Sequence, residues 1–258
     1  MNDITTDFSI LLPALIAGCL VAISHVPLGQ QVLSRGIVFI DLAIAQVAAL
    51  GVIIANRFEL PVEGWGAQAA AAAAALAGAL LLTWTERKRP EVQEALIGIL
   101  FVLASTAQIL LLANDPHGGE NLKDLLAGQI LWVSNAQLVR AAVLTAVFAL
   151  VWFTWREHIG RVGFYVLFAF VVTSSVQLVG VYLVFTTLIV PAVATYRHEP
   201  RRQLLYGYLL ALGSYVVGLG ISLVTDLPSS PVIVWAMGVL GLLVHLTGRN
   251  AAGARAPH

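Results

Sequence analysis

Apolar residues along this chain do not alternate with polar ones; they come in long blocks. The blocks fall near 8–26, 36–56, 66–84, 92–113, 136–154, 162–178, 180–196, 203–224 and 230–248. A membrane-spanning helix needs roughly 20 mostly apolar residues. The pattern therefore predicts an all-α, polytopic membrane bundle of about nine transmembrane helices. Only Val179 and Gly180 separate the sixth and seventh blocks. These are either two spans or one long helix broken at Gly180, since glycine costs about 1 kcal/mol in a helix interior. The block 66–84 is nearly all alanine, which predicts a helix packed among others, because small side chains let backbones approach closely. The stretch 114–135 holds a run, Leu125 to Val133, too short to span. It predicts one short outer re-entrant or surface helix, with Asn121 placed to cap a helix beginning at Leu122. Irregular backbone at that depth is tolerated only where protein buries it or it lines a cavity.

Composition supports this picture. Of 258 residues, 59% are apolar and 11% charged, and the mean hydropathy is +0.87. Ordinary soluble domains carry about a quarter charged residues. A disordered chain, a nucleic-acid binder and a soluble enzyme are excluded. The single cysteine, Cys19, rules out a disulfide framework and a cysteine metal cluster. Residues 1–258 read as a single transmembrane domain with short connections. The first block reads as a retained span and not a leader, since Asp3 and Asp7 stand where a basic region would precede a cleaved segment.

The net charge of zero conceals a segregation. Arg35, Arg87, Lys88, Arg89, Arg156, Arg161, Arg197, Arg201, Arg202, Arg249 and Arg255, 11 of the 14 basic residues, fall on one set of loops. Arg57 and Lys123 fall on the other, and Arg140 lies just inside the fifth block, where it can snorkel outward. Cytoplasmic loops carry the excess of Lys and Arg. The expected topology is an inner-membrane, multi-pass chain with its N-terminus outside and its C-terminus cytoplasmic, as nine spans require.

Chemistry must come from the few polar residues in the blocks. Asp41 is the sharpest, six residues past Arg35 and so roughly 9 Å into the second block at 1.5 Å per residue. Intramembrane carboxylates mark cation or proton pathways, or pair with a neighbouring helix. Gln46 stands five residues on, about 140° around the helix, on another face. His25 and His245 are candidate partners by residue type, though each also suits a structural histidine. In the outer stretch, Asp115, His117, Glu120 and Asp124 form a second constellation, and Gly118 and Gly119 allow a turn bringing Glu120 back toward His117. Carboxylates with imidazole suit Zn²⁺ or Mn²⁺; the same residues also suit a solvated turn and helix cap. Thr173, Ser174, Ser175, Gln177, Thr186 and Thr187 either line a polar path or bond their own helix backbone. The sequence holds no Walker A motif, no Gly-rich phosphate loop and no HExxH. Uphill transport would draw on a separate subunit or an ion gradient.

Four segments, in order, resemble the membrane permease subunit of the zinc/manganese family of ABC importers. They are Pro27-Leu-Gly29 with Ser34-Arg35-Gly-Ile-Val-Phe-Ile-Asp41 and Ala49-Leu-Gly51; Leu126-Ala-Gly128-Gln-Ile-Leu-Trp-Val133-Ser134; Val179-Gly-Val-Tyr-Leu-Val with Leu188-Ile-Val-Pro191-Ala192-Val-Ala-Thr195; and Asp226-Leu-Pro228-Ser-Ser-Pro231. The resemblance implies a helical permease with no catalytic activity and no covalently bound cofactor. It implies a dimer of two permease copies in the lipid bilayer, paired with cytoplasmic ATPase subunits that alone bind ATP, and with a periplasmic or surface metal-binding protein. It implies that Asp41 touches the transported Zn²⁺ or Mn²⁺. The outer residues His117, Glu120 and Asp124 are no part of the family's pattern; on their residue types alone they are candidates to receive an arriving ion.

Two departures stand out. The family carries a histidine four residues after the aspartate, and here position 45 is Ala. The family also carries a longer cytoplasmic stretch between its fifth and sixth spans that docks into the ATPase; here the connection is Trp155 to Arg161. They leave two further readings, an ATP-independent metal channel or secondary transporter and a non-transporting membrane scaffold.

Overall fold

The apolar blocks become helices. The computed structural model describes residues 2–57, 65–113, 119, 123, 126–128, 130–155 and 158–253. Among them are nine α-helices and no strand: α1 Asn2–Arg35, α2 Ile40–Arg57, α3 Trp65–Lys88, α4 Gln93–Leu112, α5 Asn135–Trp155, α6 Arg161–Val179, α7 Val181–Thr195, α8 Pro200–Thr225 and α9 Ser229–Gly253. Eight are long and apolar enough to cross a membrane, and α7 is the shorter one. Along the chain, the basic clusters at Arg35, Arg87–Arg89, Arg161 and Arg197–Arg202 stand at alternate helix ends, here called the basic end.

The first helix outruns its apolar block. It continues through Pro27 to Arg35, because Leu28 and Val32 on the added turns are fully buried and packing holds them. Near Pro27, Gly29 comes so close to α7 that a Cβ there would strike the Leu188 carbonyl. The α3 alanines give a divided result. Ala71, Ala75, Ala79 and Leu82 form a buried stripe, while Leu80, Leu81 and Trp84 face outward. One face therefore packs: Gly51 of α2 lies against Ala70 and Ala74. The other face is left to lipid.

Helix α2 lies between α3 and α4, and α3 also packs on α6. A second group joins α1, α8 and α9 around α7, whose residues are mostly buried. Helix α5 bridges α1 and α6. Helix α4 has the highest hydropathy of the eight spanning candidates and, with α5, the smallest buried share. A helix apolar all round is the expected solution where one flank meets lipid. The α2–α4 contact carries a polar bond within its apolar surroundings. The Gln108 Nε2 donates to Gln46 Oε1 at 2.7 Å and to the Gln46 carbonyl at 2.9 Å, both residues being buried. Such interhelical amide bonds contribute about 0.6–2 kcal/mol in lipid.

The sixth and seventh blocks are two helices. Gly180 separates them with φ 84° and ψ 162°, and its N–H still donates to the Val176 carbonyl at 2.9 Å. At 15 residues, α7 is about 22 Å long, short of the roughly 30 Å hydrocarbon core. The outer segment meets the break. Gly128, at φ 67°, lies against the Val179 carbonyl, and a Cβ on Gly180 would meet the Gly128 nitrogen at 2.5 Å. A turn of 3₁₀ helix, Ile130–Trp132, follows, with Ile130 fully buried. Helix α5 then opens with a capping box. The Ser134 N–H donates to Gln137 Oε1 at 2.8 Å, and the Gln137 N–H donates to Ser134 Oγ at 3.3 Å.

Two outcomes follow from this packing. Gly180→Ala combines a positive φ with a backbone collision, a strain of about 1–3 kcal/mol; thermal unfolding in detergent is expected several degrees lower than for the unaltered chain, and an unchanged midpoint would contradict the crossing. Gln108→Leu is expected to cost about 1 kcal/mol. Adding Gln46→Leu should cost little more, because the two amides bond each other. Strict additivity in that double-mutant cycle would deny the bond.

Candidate metal path

Asp41 owes its setting to a turn. Helix α1 ends at Arg35, and Gly36 takes φ 68° with its N–H on the Leu33 carbonyl. The Ile37 N–H bonds back to Val32, and α2 begins at Ile40. Asp41 is therefore in the first turn of α2 and not six helical residues past Arg35; the intervening turn shortens the path. At that end the first backbone amides lack intrahelical partners, and the helix dipole is positive. A carboxylate is stabilised there by about 0.3–1 kcal/mol when exposed, and up to about 2 when partly buried.

That contribution does not cover the cost of its position. Asp41 is 1% exposed, and its Oδ1 has no hydrogen-bond partner. Asp41 is in neither of the ion pairs among the described residues, Arg89–Glu91 at 3.9 Å and Arg161–Glu86 at 3.6 Å. The Arg35 guanidinium lies over the Phe164 ring, 4.1 Å from its centroid. An ionised carboxylate left unpaired in this environment would cost several kcal/mol.

Ile44, Ala45 and Ala48 on the face of Asp41 are all buried. Gln46, on another face, bonds α4. Asp41 is thus turned away from α4. Glu94 serves the same helix end from outside: its Oε1 accepts the Phe39 N–H at 3.2 Å, while Oε2 is buried without a partner. Phe39 also stacks on Phe185 of α7, ring centroids 6.4 Å apart. The start of α2 is thereby tied to both α4 and α7.

The histidines divide. His25 is fully buried in α1, its Nδ1 3.0 Å from both the Val21 carbonyl and Ser24 Oγ, with no partner at Nε2. His245 stacks on Tyr196 with centroids 5.9 Å apart, at the basic end. Among the described residues, no three His, Cys, Asp or Glu side chains converge to hold a metal. His117, Glu120 and Asp124 lie outside the described residues, so Asp41 is the one sequence-derived ligand whose surroundings can be read. The hydroxyls mostly satisfy themselves. Thr186 donates to Tyr182 and Thr187 to Leu183, each at 2.7 Å, and Thr187 Oγ1 is 3.0 Å from the Tyr215 hydroxyl. Thr173 Oγ1 is buried with no partner.

Sequence reasoning missed the Gln46–Gln108 bond, the Glu94 cap and a polar corner at the basic end. There Gln93 Nε2 donates to the Leu82 carbonyl at 3.0 Å, and Thr85 donates to Gln93 Oε1 at 2.9 Å. The partners stand 62 and 55 residues apart for the first two, and no local spacing signals them. A lone buried carboxylate offers a divalent cation one charged ligand. It cannot hold one as a closed structural site, which takes about four ligands for zinc.

Comparison with known proteins bears on this arrangement. The model of the ABC 3 transport family matches residues 7–164 and 158–248, two stretches that meet on the α5–α6 connection. Among solved structures, the chain is similar to PsaBC from Streptococcus pneumoniae in complex with Fab. The TM-score is 0.74 at 21% identity, covering 91% of this chain and 90% of that one. It is also similar to a chain assigned to the metal-chelate type of ABC transporter in an inward-facing conformation. There the TM-score is 0.67 at 16% identity, covering 91% of this chain and 85% of that one. These two likenesses concern the fold. The family match spans nearly the whole chain, so this multi-pass membrane protein belongs to the ABC 3 transport family, as the permease subunit of a transporter whose ATPase is a separate subunit.

Proposed function

We propose that the chain is the permease of a divalent-metal importer, with zinc as the first candidate cargo and manganese the second. The observation that carries this reading is Asp41, buried and unpartnered at the positive end of α2. A membrane protein keeps such a group only where its charge is used. The likeness to a metal-chelate type transporter supports a metal cargo.

Ala45, one turn beyond Asp41, offers no ligand. A single carboxylate with carbonyl, hydroxyl and water oxygens binds an ion loosely. Loose binding suits conduction, where an ion must leave as readily as it enters. In this reading the basic loops face the cytoplasm, as the excess of Lys and Arg favours. His117, Glu120 and Asp124 then face outside and receive the ion from a binding protein. Two copies of the chain would work with cytoplasmic ATPase subunits.

The test is zinc and manganese uptake in cells bearing the unaltered chain or Asp41→Asn at matched membrane amounts, with and without ATP depletion. Asn keeps the shape and removes the charge. Uptake is expected to fall at least about tenfold, the loss of about 1.4 kcal/mol of interaction with the ion in transit. The purified variant should be as thermally stable as the original or more so, because an unpaired buried charge has been removed. Uptake that needs Asp41 but survives ATP depletion would make the protein a channel or secondary carrier. Uptake indifferent to Asp41 would remove it from the path, and a fall in stability with unchanged flux would make it structural.

A further inference from the structure

We propose that the connection between α7 and α8, Tyr196 to Glu199, with Arg201 and Arg202 on the first turn of α8, is the surface on which the ATPase subunit docks. This rests on the importer reading, which supplies the ATPase.

The two stretches of the family match overlap at 158–164, at the end of the α5–α6 connection, which runs only from Trp155 to Arg161. The N–H groups of His158 and Ile159 both bond the Trp155 carbonyl, and Ile159 packs back on the core. Arg161, where α6 begins, is engaged with Glu86. A docking surface therefore has to come from another basic-end connection.

Two such connections carry clustered cations. Arg87, Lys88 and Arg89 lead into α4, the helix with the highest hydropathy and one of the two with the smallest buried share. A force applied there reaches a helix largely in contact with lipid. Arg89 is also within 3.9 Å of Glu91. The α7–α8 connection differs in both respects. Arg197, Arg201 and Arg202 are exposed, against one acid, Glu199. Its neighbours hold it stiff. Tyr196 stacks on His245 of α9, Arg197 Nε donates to the Tyr196 hydroxyl at 2.8 Å, His198 packs edge-on to Tyr206 of α8 at 5.0 Å, and His198 Nδ1 lies 3.2 Å from the Thr195 carbonyl. A loop that only anchors the membrane surface through its charge needs no such bracing. Tyr196 nevertheless keeps 48% of its surface exposed. A rigid cationic loop with a half-exposed tyrosine fits a carboxylate-lined cleft on a protein partner.

The loop is also joined to the right helix. It continues directly into α7, which packs on α1, α8 and α9 and meets Phe39 through Phe185. Displacing this loop moves the element that bears on the start of α2, two residues from Asp41, and on the Gly180 break at the far end.

The test uses affinity-tagged full-length chains in their native membrane at matched amounts: unaltered, R197E/R201E/R202E, and R87E/K88E/R89E. The nucleotide-binding subunit recovered with each is quantified by peptide mass spectrometry and by the Mg-ATP hydrolysis it carries. Reversal at 197, 201 and 202 is expected to lower recovery at least about tenfold, since it sets like charges against the partner's surface. Reversal at 87–89 should leave recovery within about twofold, as for rim charges. Because charge reversal can disturb insertion, a second measurement keeps every cation: benzoylphenylalanine in place of Glu199 should cross-link to the nucleotide-binding subunit under ultraviolet light. Wild-type recovery from the 197/201/202 variant overturns the proposal. So do cross-links confined to lipid or to the chain itself, or a loss only in the 87–89 variant. If the unaltered chain recovers no nucleotide-binding subunit, the importer reading falls and takes the proposal with it.

Discussion

The bundle is organised around an interruption that the bilayer makes expensive. No water at that depth can satisfy a backbone group freed by a broken helix, so protein must do it. The chain breaks between α6 and α7 at Gly180, whose N–H donates to the Val176 carbonyl and whose carbonyl accepts the Val184 N–H, and the outer segment packs on the break at Gly128. Both glycines take positive φ, and each occupies space a Cβ on the other would need. The consequence is a helix too short to cross alone, held from every side. Helix α7 is fixed by α1, α8 and α9, and by Gly29 against Leu188. Because α7 also touches the start of α2 through Phe185, five residues past Gly180, and Phe39, the break and the buried carboxylate belong to one packed unit.

Many polar groups within that unit follow one of two rules. Hydroxyls bond their own helix, as Thr186, Thr187, Thr195 and Ser214 do, which satisfies them without specifying a neighbour. Amides bond across helices, as Gln108 does to Gln46, and so fix which helices adjoin. Asp41 obeys neither rule. Its Oδ1 is buried without a partner, as are Thr173 Oγ1 and Glu94 Oε2.

The helices were legible because lipid imposes one requirement on every span, and hydropathy records it directly. Nine apolar blocks become nine helices among the described residues. The ends were less legible. Helix α1 continues past Pro27 since Leu28 and Val32 find packing that no local pattern announces. The alanine run of α3 suggested burial all round, yet close approach needs only one small-residue face, and the other carries Leu80, Leu81 and Trp84 to the outside. Asp41 was legible as a charge in an apolar run. The turn at Gly36 that brings it to the helix end was not, since six residues of sequence say nothing of where a helix stops. Glu94, capping α2 from 55 positions away, had no sequence signal beyond being a carboxylate beside an apolar block. His117, Glu120 and Asp124 lie outside the described residues, and their part in the reading rests on the sequence.

Charge segregation and the single inner carboxylate are two answers to the same dielectric problem. Fourteen cations and fourteen anions sum to zero, yet at the basic end arginine meets neighbours that leave its charge accessible: Arg35 over Phe164 and Arg197 beside Tyr196. An aromatic face holds a guanidinium without neutralising it. Here these two cations are set against aromatic rings, which position the guanidinium groups and leave their charge in place. In the proposed function the cargo meets one carboxylate, supported by a helix terminus worth about 1 kcal/mol, and a single carboxylate binds an ion loosely enough to release it.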